Sequence, residues 1–249
     1  MAPELIIQNH EKTAVLLIAP ETGRLPDGMG PLARFISGKS GGLGDVVAAL
    51  CEGLTRRGIE CHLATLNLKR RFQQESNLDE NQWHKILNTI DPERIHLVNS
   101  AIFDDLSSAY GGNTALNAAE FQRALVNHII VGLRAKNGGR LIIHSHDWMA
   151  GGIITAYAKL QGCPVLHTLH NVHTGHIPRD MLFGIDTGKL SNTSIYQEIM
   201  GTRPLTVSPR LSRTPASSVL WASDFSAKLL ITIFPINPLF LPRFARKCE

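Results

Sequence analysis

The sequence predicts an α/β domain with an open, doubly wound and mostly parallel β-sheet. Three observations lead to this fold class. Short apolar runs alternate with amphipathic helical patterns from Thr13 onward, as in consecutive βαβ units. The 249 residues, 43% of them hydrophobic and 18% charged, suffice to bury a sizeable core and exclude a disordered or fibrous chain. The chain also shows no internal repeat.

The predicted elements alternate along the chain. Strands are predicted at residues 13–19, 60–66, 94–98, 141–144 and 165–168, where short apolar runs occur. Helices are predicted at residues 45–57, 117–136 and 149–160, and glycine follows each of them closely, as expected at a helix C-terminus.

Composition and charge exclude several function classes. The net charge of +4 comes with no dense basic face, so nucleic-acid binding is not expected. No window offers the roughly 20 apolar residues of a membrane helix, and Glu4 and Glu11 interrupt the N-terminus where a signal peptide is apolar. The four cysteines are widely spaced, which favours reduced thiols over a disulfide framework or a zinc site. We therefore expect a soluble, cytoplasmic protein without a membrane partner.

The composition changes near residue 203. All 21 glycines and all 11 histidines precede it, whereas residues 203–249 are rich in proline and basic residues. Pro235 and Pro238 prevent a helix or a central strand from running through the apolar segment 229–241. We expect residues 1–202 to form the α/β domain and residues 203–249 to be an atypical tail, not native to this fold, as a frameshift or truncation produces. A surface-packing extension is the alternative.

A glycine-rich loop, GKSGGLGD at residues 38–45, lies between the first strand and the first helix. Its glycines expose backbone N–H groups, the helix N-terminus adds partial positive charge and Lys39 adds a full one, so the loop is a candidate phosphate cradle. It departs from a Walker A motif at Ala33 and from a dinucleotide fingerprint at Val47, where glycines are required. A glycine turn with a solvated lysine is the alternative.

Two polar segments follow later strands. In HSHDWMAGG, residues 144–152, Asp147 falls in the strand-to-helix turn, where a helix cap is the alternative to a functional role. In HTLHNVHTGH, residues 167–176, four histidines are spaced by three residues. Residues three apart in a strand point to opposite faces, so a metal site is not favoured. His170 is the histidine just past the predicted strand end.

The position of these residues connects them. Ligands of an open parallel sheet bind beyond the carboxyl ends of its strands. Lys39 with its glycines, Asp147, and His170 with Asn171 all follow such ends. We therefore expect three loops to meet at one edge and to form a site for a polar, phosphorylated ligand.

These motifs resemble those of bacterial glycogen synthases and plant starch synthases. GKSGGLGDVVAAL is similar to the family's K-T/S-G-G-L-G/A-D-V loop, and HSHDWMAGG and TLHN are similar to its H-x-H-D-W-x-A-G and T-x-H-N motifs, in the same order. The resemblance implies a Rossmann-like domain, one half of a GT-B fold. It also implies retaining, metal-independent transfer of glucose from ADP-glucose or UDP-glucose to the non-reducing end of an α-1,4-glucan. No cofactor is implied, because the nucleotide sugar is a substrate.

The resemblance also assigns roles to individual residues. The implied catalytic residues are Asp147 and His170, and the implied donor- and substrate-binding residues are Lys39, Gly41, Gly42 and Asn171. The lysine would contact the donor phosphates, and the two glycines would let the backbone approach the donor. The aspartate and the histidine would hydrogen-bond the transferring glucose, and the asparagine would orient the loop.

Three departures from the family pattern accompany this resemblance. An insertion at residues 21–36 separates the first strand from Lys39, and no aromatic residue is expected near Thr114, where the family usually has one. The family's second domain is absent from these 249 residues, so we expect the isolated chain to be a truncated, largely inactive half. The alternatives are another two-domain glycosyltransferase, a non-catalytic α-glucan-binding fragment and a P-loop nucleotide hydrolase.

Overall fold

A seven-stranded sheet forms the centre of the molecule. The computed structural model describes residues 13–138, 140–170, 175–182, 184–185, 205–206, 218–222 and 229–233. Five parallel strands lie side by side in the spatial order 95–98, 60–66, 14–18, 141–146 and 165–169, and two antiparallel strands, 229–233 and 218–222, extend the sheet beyond the last of them. The predicted fold class, a Rossmann-like doubly wound α/β sheet, is confirmed.

The strands of the main sheet are short, as is usual for parallel sheets. They are β1 Ala14–Ile18, β2 Glu60–Leu66, β3 Ile95–Val98, β4 Leu141–His146, β5 Val165–Leu169, β8 Ser218–Ala222 and β9 Leu229–Ile233. A separate antiparallel pair is formed by β6 His176–Ile177 and β7 Leu205–Thr206. The central strand β1 is almost completely buried, because helices cover both faces of a parallel sheet.

The helices are α1 Gly42–Arg56, α2 Lys69–Ser76, α3 Glu80–Thr89, α4 Thr114–Ala124, α5 Ile130–Lys136 and α6 Ile153–Leu160. One π-helical turn, Leu125–Ile129, joins α4 to α5, so the predicted single helix at 117–136 is continuous but locally widened. Short 3₁₀ turns occur at Asp27–Met29, Pro31–Phe35, Trp148–Ala150 and Arg179–Leu182. None of the helices in the described residues is both long and apolar enough to cross a lipid bilayer.

The structure differs from the predicted elements at several helix boundaries. Helix α1 begins three residues before the predicted start, because the glycine loop itself supplies its first turn. The helix predicted at 149–160 begins at Ile153, after a 3₁₀ turn. Helices α2 and α3 were not predicted. Helix α2 buries only Phe72, so its sequence has no repeated apolar stripe. Helix α3 does have one, with Trp83, Ile86, Leu87 and Ile90 at helical spacing against the core, and the sequence analysis overlooked it.

The tail contributes two strands to the sheet. Strand β9 pairs antiparallel with β5 and with β8, so residues 229–233 lie inside the sheet. The strand ends two residues before Pro235, and no described strand runs through the prolines. The domain boundary at residue 202 and the non-native origin of the tail stay predictions.

The strand order creates a crevice next to the predicted functional loops. Strand β1 lies between β2 and β4, so the chain moves outward in opposite directions from the β1–β4 pair. In such sheets the ligand crevice lies outside the carboxyl ends of the strands at this switch point. The glycine loop follows β1 and Asp147 follows β4, so both border the crevice.

Candidate active site

Asp147 and His170 are joined directly at the carboxyl edge of the sheet. Asp147 is 3% exposed, and its Oδ1 atom accepts a hydrogen bond from the His170 backbone N–H at 2.6 Å. The Asp147 N–H in turn donates to the Thr168 carbonyl at 2.8 Å. The loops after β4 and β5 are therefore tied together, as the sequence predicted for two of the three loops.

The conformation of Asp147 is unusual. Its φ of 57° and ψ of 179° lie in a region that is essentially reserved for glycine. Its side chain makes no capping hydrogen bond to the turn Trp148–Ala150, so the helix-cap interpretation is wrong. A strained backbone of this kind costs on the order of 1–3 kcal/mol and is found mainly at functional sites. In this conformation the carboxylate accepts the hydrogen bond from the His170 loop.

A cluster of neutral histidines lies beside this link. The His146 Nδ1 atom is 2.9 Å from His170 Nε2, and the His144 Nε2 atom is 2.9 Å from the Thr168 hydroxyl. Burial lowers the pKa of His144 to about 4, and it also lowers the pKa values of His146 and His170, with smaller contributions from neighbouring charges. These imidazoles are uncharged near neutral pH, so they act as hydrogen-bonding groups rather than as cations.

Two of the four regularly spaced histidines, His167 and His170, do not converge. His167 lies on the other face of the sheet, where its Nδ1 atom is 2.8 Å from the Ser145 hydroxyl. Burial lowers the pKa of His167 to about 4. His173 lies outside the described residues, as does Asn171. Within the described part of the chain, no group of three or more histidine, cysteine or acidic side chains is placed to hold a metal ion.

The side chain of Glu21, a residue of the predicted insertion at 21–36, contacts the backbone of the glycine loop at residues 38–45. This side chain is buried, and its two carboxylate oxygens accept hydrogen bonds from the Ser40 N–H at 2.5 Å and the Gly44 N–H at 3.2 Å. Two amides of the predicted phosphate cradle are therefore already occupied by an anion of the protein. An acidic residue directly after the proline that closes the first strand was the sequence signal for this contact.

Lys39 and the loop glycines differ in their surroundings. Lys39 Nζ lies 2.5 Å from Asp45 Oδ2, and both side chains are about half exposed. A Cβ atom on Gly42 would meet nothing within 4 Å, whereas one on Gly41 would lie 3.6 Å from the Glu21 carboxylate. A Cβ atom on Gly44 would lie 3.0 Å from the Gly23 backbone nitrogen. Packing therefore requires glycine at position 44, while open space lies in front of position 42.

Tyr110 is a site residue that the sequence analysis missed. It lies four residues before Thr114, so the expectation that this stretch has no aromatic residue is wrong. The pKa of its hydroxyl is raised by burial and by the negative charges of Glu21 and Asp147. Tyr110 therefore lies within electrostatic range of both carboxylates. The residue as a whole is 39% exposed, whereas its hydroxyl lies in more buried surroundings.

The carboxyl edge of the parallel sheet thus combines buried carboxylates, neutral imidazoles, a phenol and an exposed lysine. Carboxylates and neutral imidazoles are suited to hydrogen-bonding several hydroxyl groups, and the lysine is suited to an anion. Such an edge on a doubly wound α/β sheet is typical of nucleotide- and sugar-binding domains.

The family can be stated more closely. Residues 29–202, more than two thirds of the chain, match the family model described as the starch synthase catalytic domain. The chain belongs to this family, which confirms the resemblance found in its motifs. No curated protein sequence matches the chain.

A solved structure gives a second comparison. The chain is similar to the catalytic domain of starch synthase IV from Arabidopsis thaliana, a structure described as bound to ADP and acarbose. The TM-score is 0.45 and the sequence identity is 18%, over 75% of this chain and 38% of that one. The chain therefore spans well under half the length of that structure.

Proposed function

We propose that this chain supplies one half of the active site of a glycogen or starch synthase-type glucosyltransferase. The reaction moves glucose from ADP-glucose or UDP-glucose to the non-reducing end of an α-1,4-glucan. The observation that carries the proposal is the hydrogen bond from the His170 N–H to the Asp147 carboxylate, beside the buried Glu21. This link presents hydroxyl-binding groups from two loops at the switch point of the sheet.

Asp147 and His170 are the proposed sugar-binding pair. Glucose offers several hydroxyl groups but no charge, so a carboxylate acceptor and a neutral imidazole match its chemistry. The lowered pKa of His170 keeps the imidazole neutral under physiological conditions. The two groups are held before substrate arrives, and this lowers the entropic cost of orienting the sugar for transfer.

Lys39 is the proposed partner of the donor phosphates. Its ion pair with Asp45 is largely exposed, and pairs of this kind contribute at most about 1 kcal/mol, so an incoming phosphate can displace the carboxylate. The Ser40 and Gly44 amides are held by Glu21. We therefore assign the close backbone approach to Gly41 and Gly42, and Asn171 is proposed to orient the loop after β5.

The first test is a transfer assay with radiolabelled ADP-glucose and UDP-glucose, offered separately, and glycogen as acceptor. We expect Lys39→Ala and His170→Ala to lose any glucose transfer to glycogen that the wild-type chain shows. Lys85→Ala and His84→Ala are matched controls, because both residues are exposed on α3, outside the crevice loops. The expectation from the sequence is that the 249-residue chain alone turns over little or no donor.

Binding measurements make the assay decisive when transfer is absent. Calorimetric titration with each nucleotide sugar and with a maltooligosaccharide should show binding that weakens in Asp147→Ala and His170→Ala. A folded chain that binds neither class of ligand would contradict the proposal. Preserved affinity in both variants would do so as well.

A non-catalytic α-glucan-binding role is the second candidate function. The observation in its favour is that the buried groups of the edge are suited to hydroxyls, whereas the lysine that would hold phosphate is exposed and paired. Glucan binding without any nucleotide-sugar binding would favour this role. A P-loop hydrolase would instead bind ATP with Mg²⁺ and lose that binding in Lys39→Ala. The occupation of two loop amides by Glu21 weighs against it.

A further inference from the structure

His146 is a buried histidine at the end of β4 that the proposed function does not use. Its side chain is 0% exposed and packs against His144, with ring centroids 4.2 Å apart. Its Nδ1 atom is 2.9 Å from His170 Nε2, whereas its Nε2 atom is buried and has no hydrogen-bond partner among the residues that the structure describes. This asymmetry allows the proton in the pair to be placed.

Two arrangements of the proton between the rings are possible. In the first, His146 carries its proton on Nδ1 and donates it to His170 Nε2, so His146 Nε2 is a bare lone pair. In the second, His170 donates from Nε2, so His146 carries a buried N–H at Nε2 that has no acceptor. Buried N–H groups without acceptors are rarer in native proteins than acceptors that lack a donor, so the first arrangement is favoured. Burial lowers the pKa of both imidazoles, and a doubly protonated ring is thereby excluded near neutral pH.

We propose that His146 is a positioning residue that donates its Nδ1–H to His170 Nε2 and thereby fixes the His170 proton on Nδ1. The tautomer of a histidine is set by the hydrogen bond that its other nitrogen makes. With Nε2 engaged as an acceptor, Nδ1–H is the remaining polar group of the His170 ring. His170 then meets its ligand as a hydrogen-bond donor.

The neighbouring residue completes this arrangement. Asp147 holds the His170 backbone N–H, and His146 holds the His170 ring. Two consecutive residues of one strand end thus fix both the backbone and the side chain of a residue in the next loop. The consequence for sugar binding, a donor aimed at a sugar oxygen, rests on the proposed function. The tautomer itself does not.

Nitrogen NMR on the full chain tests the tautomer directly. Protein labelled with ¹⁵N-histidine is examined near neutral pH, where correlations between ring nitrogens and ring protons distinguish Nδ1–H from Nε2–H. The spectrum of His170→Gln identifies the His170 signals by their loss. We expect His170 and His146 to carry their protons on Nδ1. A proton on His170 Nε2 would overturn the proposal.

Variants test the dependence on His146. His146→Leu should release His170 into a mixture of tautomers, whereas His146→Asn, whose amide can donate from a similar position, should retain more of the Nδ1–H form. His167→Leu is the matched control, because His167 is equally buried and also has a partnerless Nε2, but bonds to Ser145. An unchanged His170 spectrum in His146→Leu, or an equal change in the control, would contradict the assignment. If His146→Leu fails to fold, the wild-type spectrum still decides.

Ligand affinity separates this proposal from the proposed function. His146→Leu should weaken maltooligosaccharide or nucleotide-sugar binding about tenfold, the effect of losing one oriented hydrogen bond, while His167→Leu retains the wild-type affinity. Equal weakening in both variants would contradict the positioning role. If the wild-type chain binds no sugar ligand, the proposed function fails, and the tautomer is judged on its spectrum alone.

Discussion

The glycine loop after β1 and the loops after β4 and β5 were predicted to form one site by the same reasoning, yet they are built differently. The β4–β5 edge is buried, and its polar groups are fixed by hydrogen bonds to one another. The charged groups at the tip of the glycine loop, Lys39 and Asp45, are exposed and paired only with each other. Groups buried in low dielectric are costly to leave unpaired, whereas exposed pairs exchange partners at little cost. The comparison predicts a rigid sugar-binding edge beside an adaptable anion-binding tip.

The largest effect is expected at Glu21, where the two regions meet. Glu21→Ala removes the acceptor for the Ser40 and Gly44 amides, and the loss of two hydrogen bonds to a carboxylate should cost together about 3 kcal/mol. We expect a loss of this size in urea unfolding and faster hydrogen exchange of both amides. Glu21→Gln keeps one side-chain acceptor and should lose less. Glu52→Ala, at an exposed ion pair on α1, is the control and should stay within about 0.5 kcal/mol of wild type. Unchanged exchange at Ser40 and Gly44 would refute the role of Glu21.

A smaller effect is expected at Asp147, where two substitutions separate strain from hydrogen bonding. Asp147→Ala leaves the His170 N–H without its acceptor and should cost about 2 kcal/mol in unfolding free energy. Asp147→Gly loses the same bond but relieves the positive φ, so it should be about 1 kcal/mol more stable than the alanine variant. Both variants should lose sugar binding. Equal stabilities of the two would show that the backbone at this position is not strained.

The buried histidines predict a pH dependence of stability. His144 and His167 have pKa values of about 4 in the folded chain and about 6.5 when unfolded, so below pH 6.5 the unfolded state binds protons that the folded state does not. Stability is therefore complete above the unfolded pKa and falls as the pH drops from about 6.5 towards 4. Between about pH 7 and 5.5 we expect a loss of about 1 kcal/mol per histidine, measured by urea unfolding. His167→Leu should reduce the slope. A flat profile would indicate that these rings are solvated.

The sequence predicted the β4–β5 edge better than it predicted the glycine loop. All five parallel strands were placed to within about two residues, because buried strands are short, continuous apolar runs. That the loops carrying Asp147 and His170 lie at one edge followed from strand polarity, but the hydrogen bond between the two residues did not. The carboxylate of Glu21 could not be placed in this way, because its partners are backbone amides 19 and 23 residues away in the chain. Tyr110 was overlooked although its position is visible in the sequence.

The smallest effect on stability is expected at the exposed tip of the glycine loop, and it tests directly whether the tip is less rigid than the β4–β5 edge. Asp45→Ala removes the partner of Lys39, but the ion pair is largely exposed and should be worth about 0.5 kcal/mol or less in unfolding. The same change frees the lysine for an anion, so the affinity for ADP-glucose or UDP-glucose should rise or stay constant, and its salt dependence should increase. Asp45→Asn is the control for the loss of charge with nearly unchanged volume. If Asp45→Ala instead destabilises the chain as much as Asp147→Ala, the loop tip is as rigid as the β4–β5 edge. The Lys39–Asp45 ion pair would then stabilise the fold, and Lys39 would not be available to bind a phosphate.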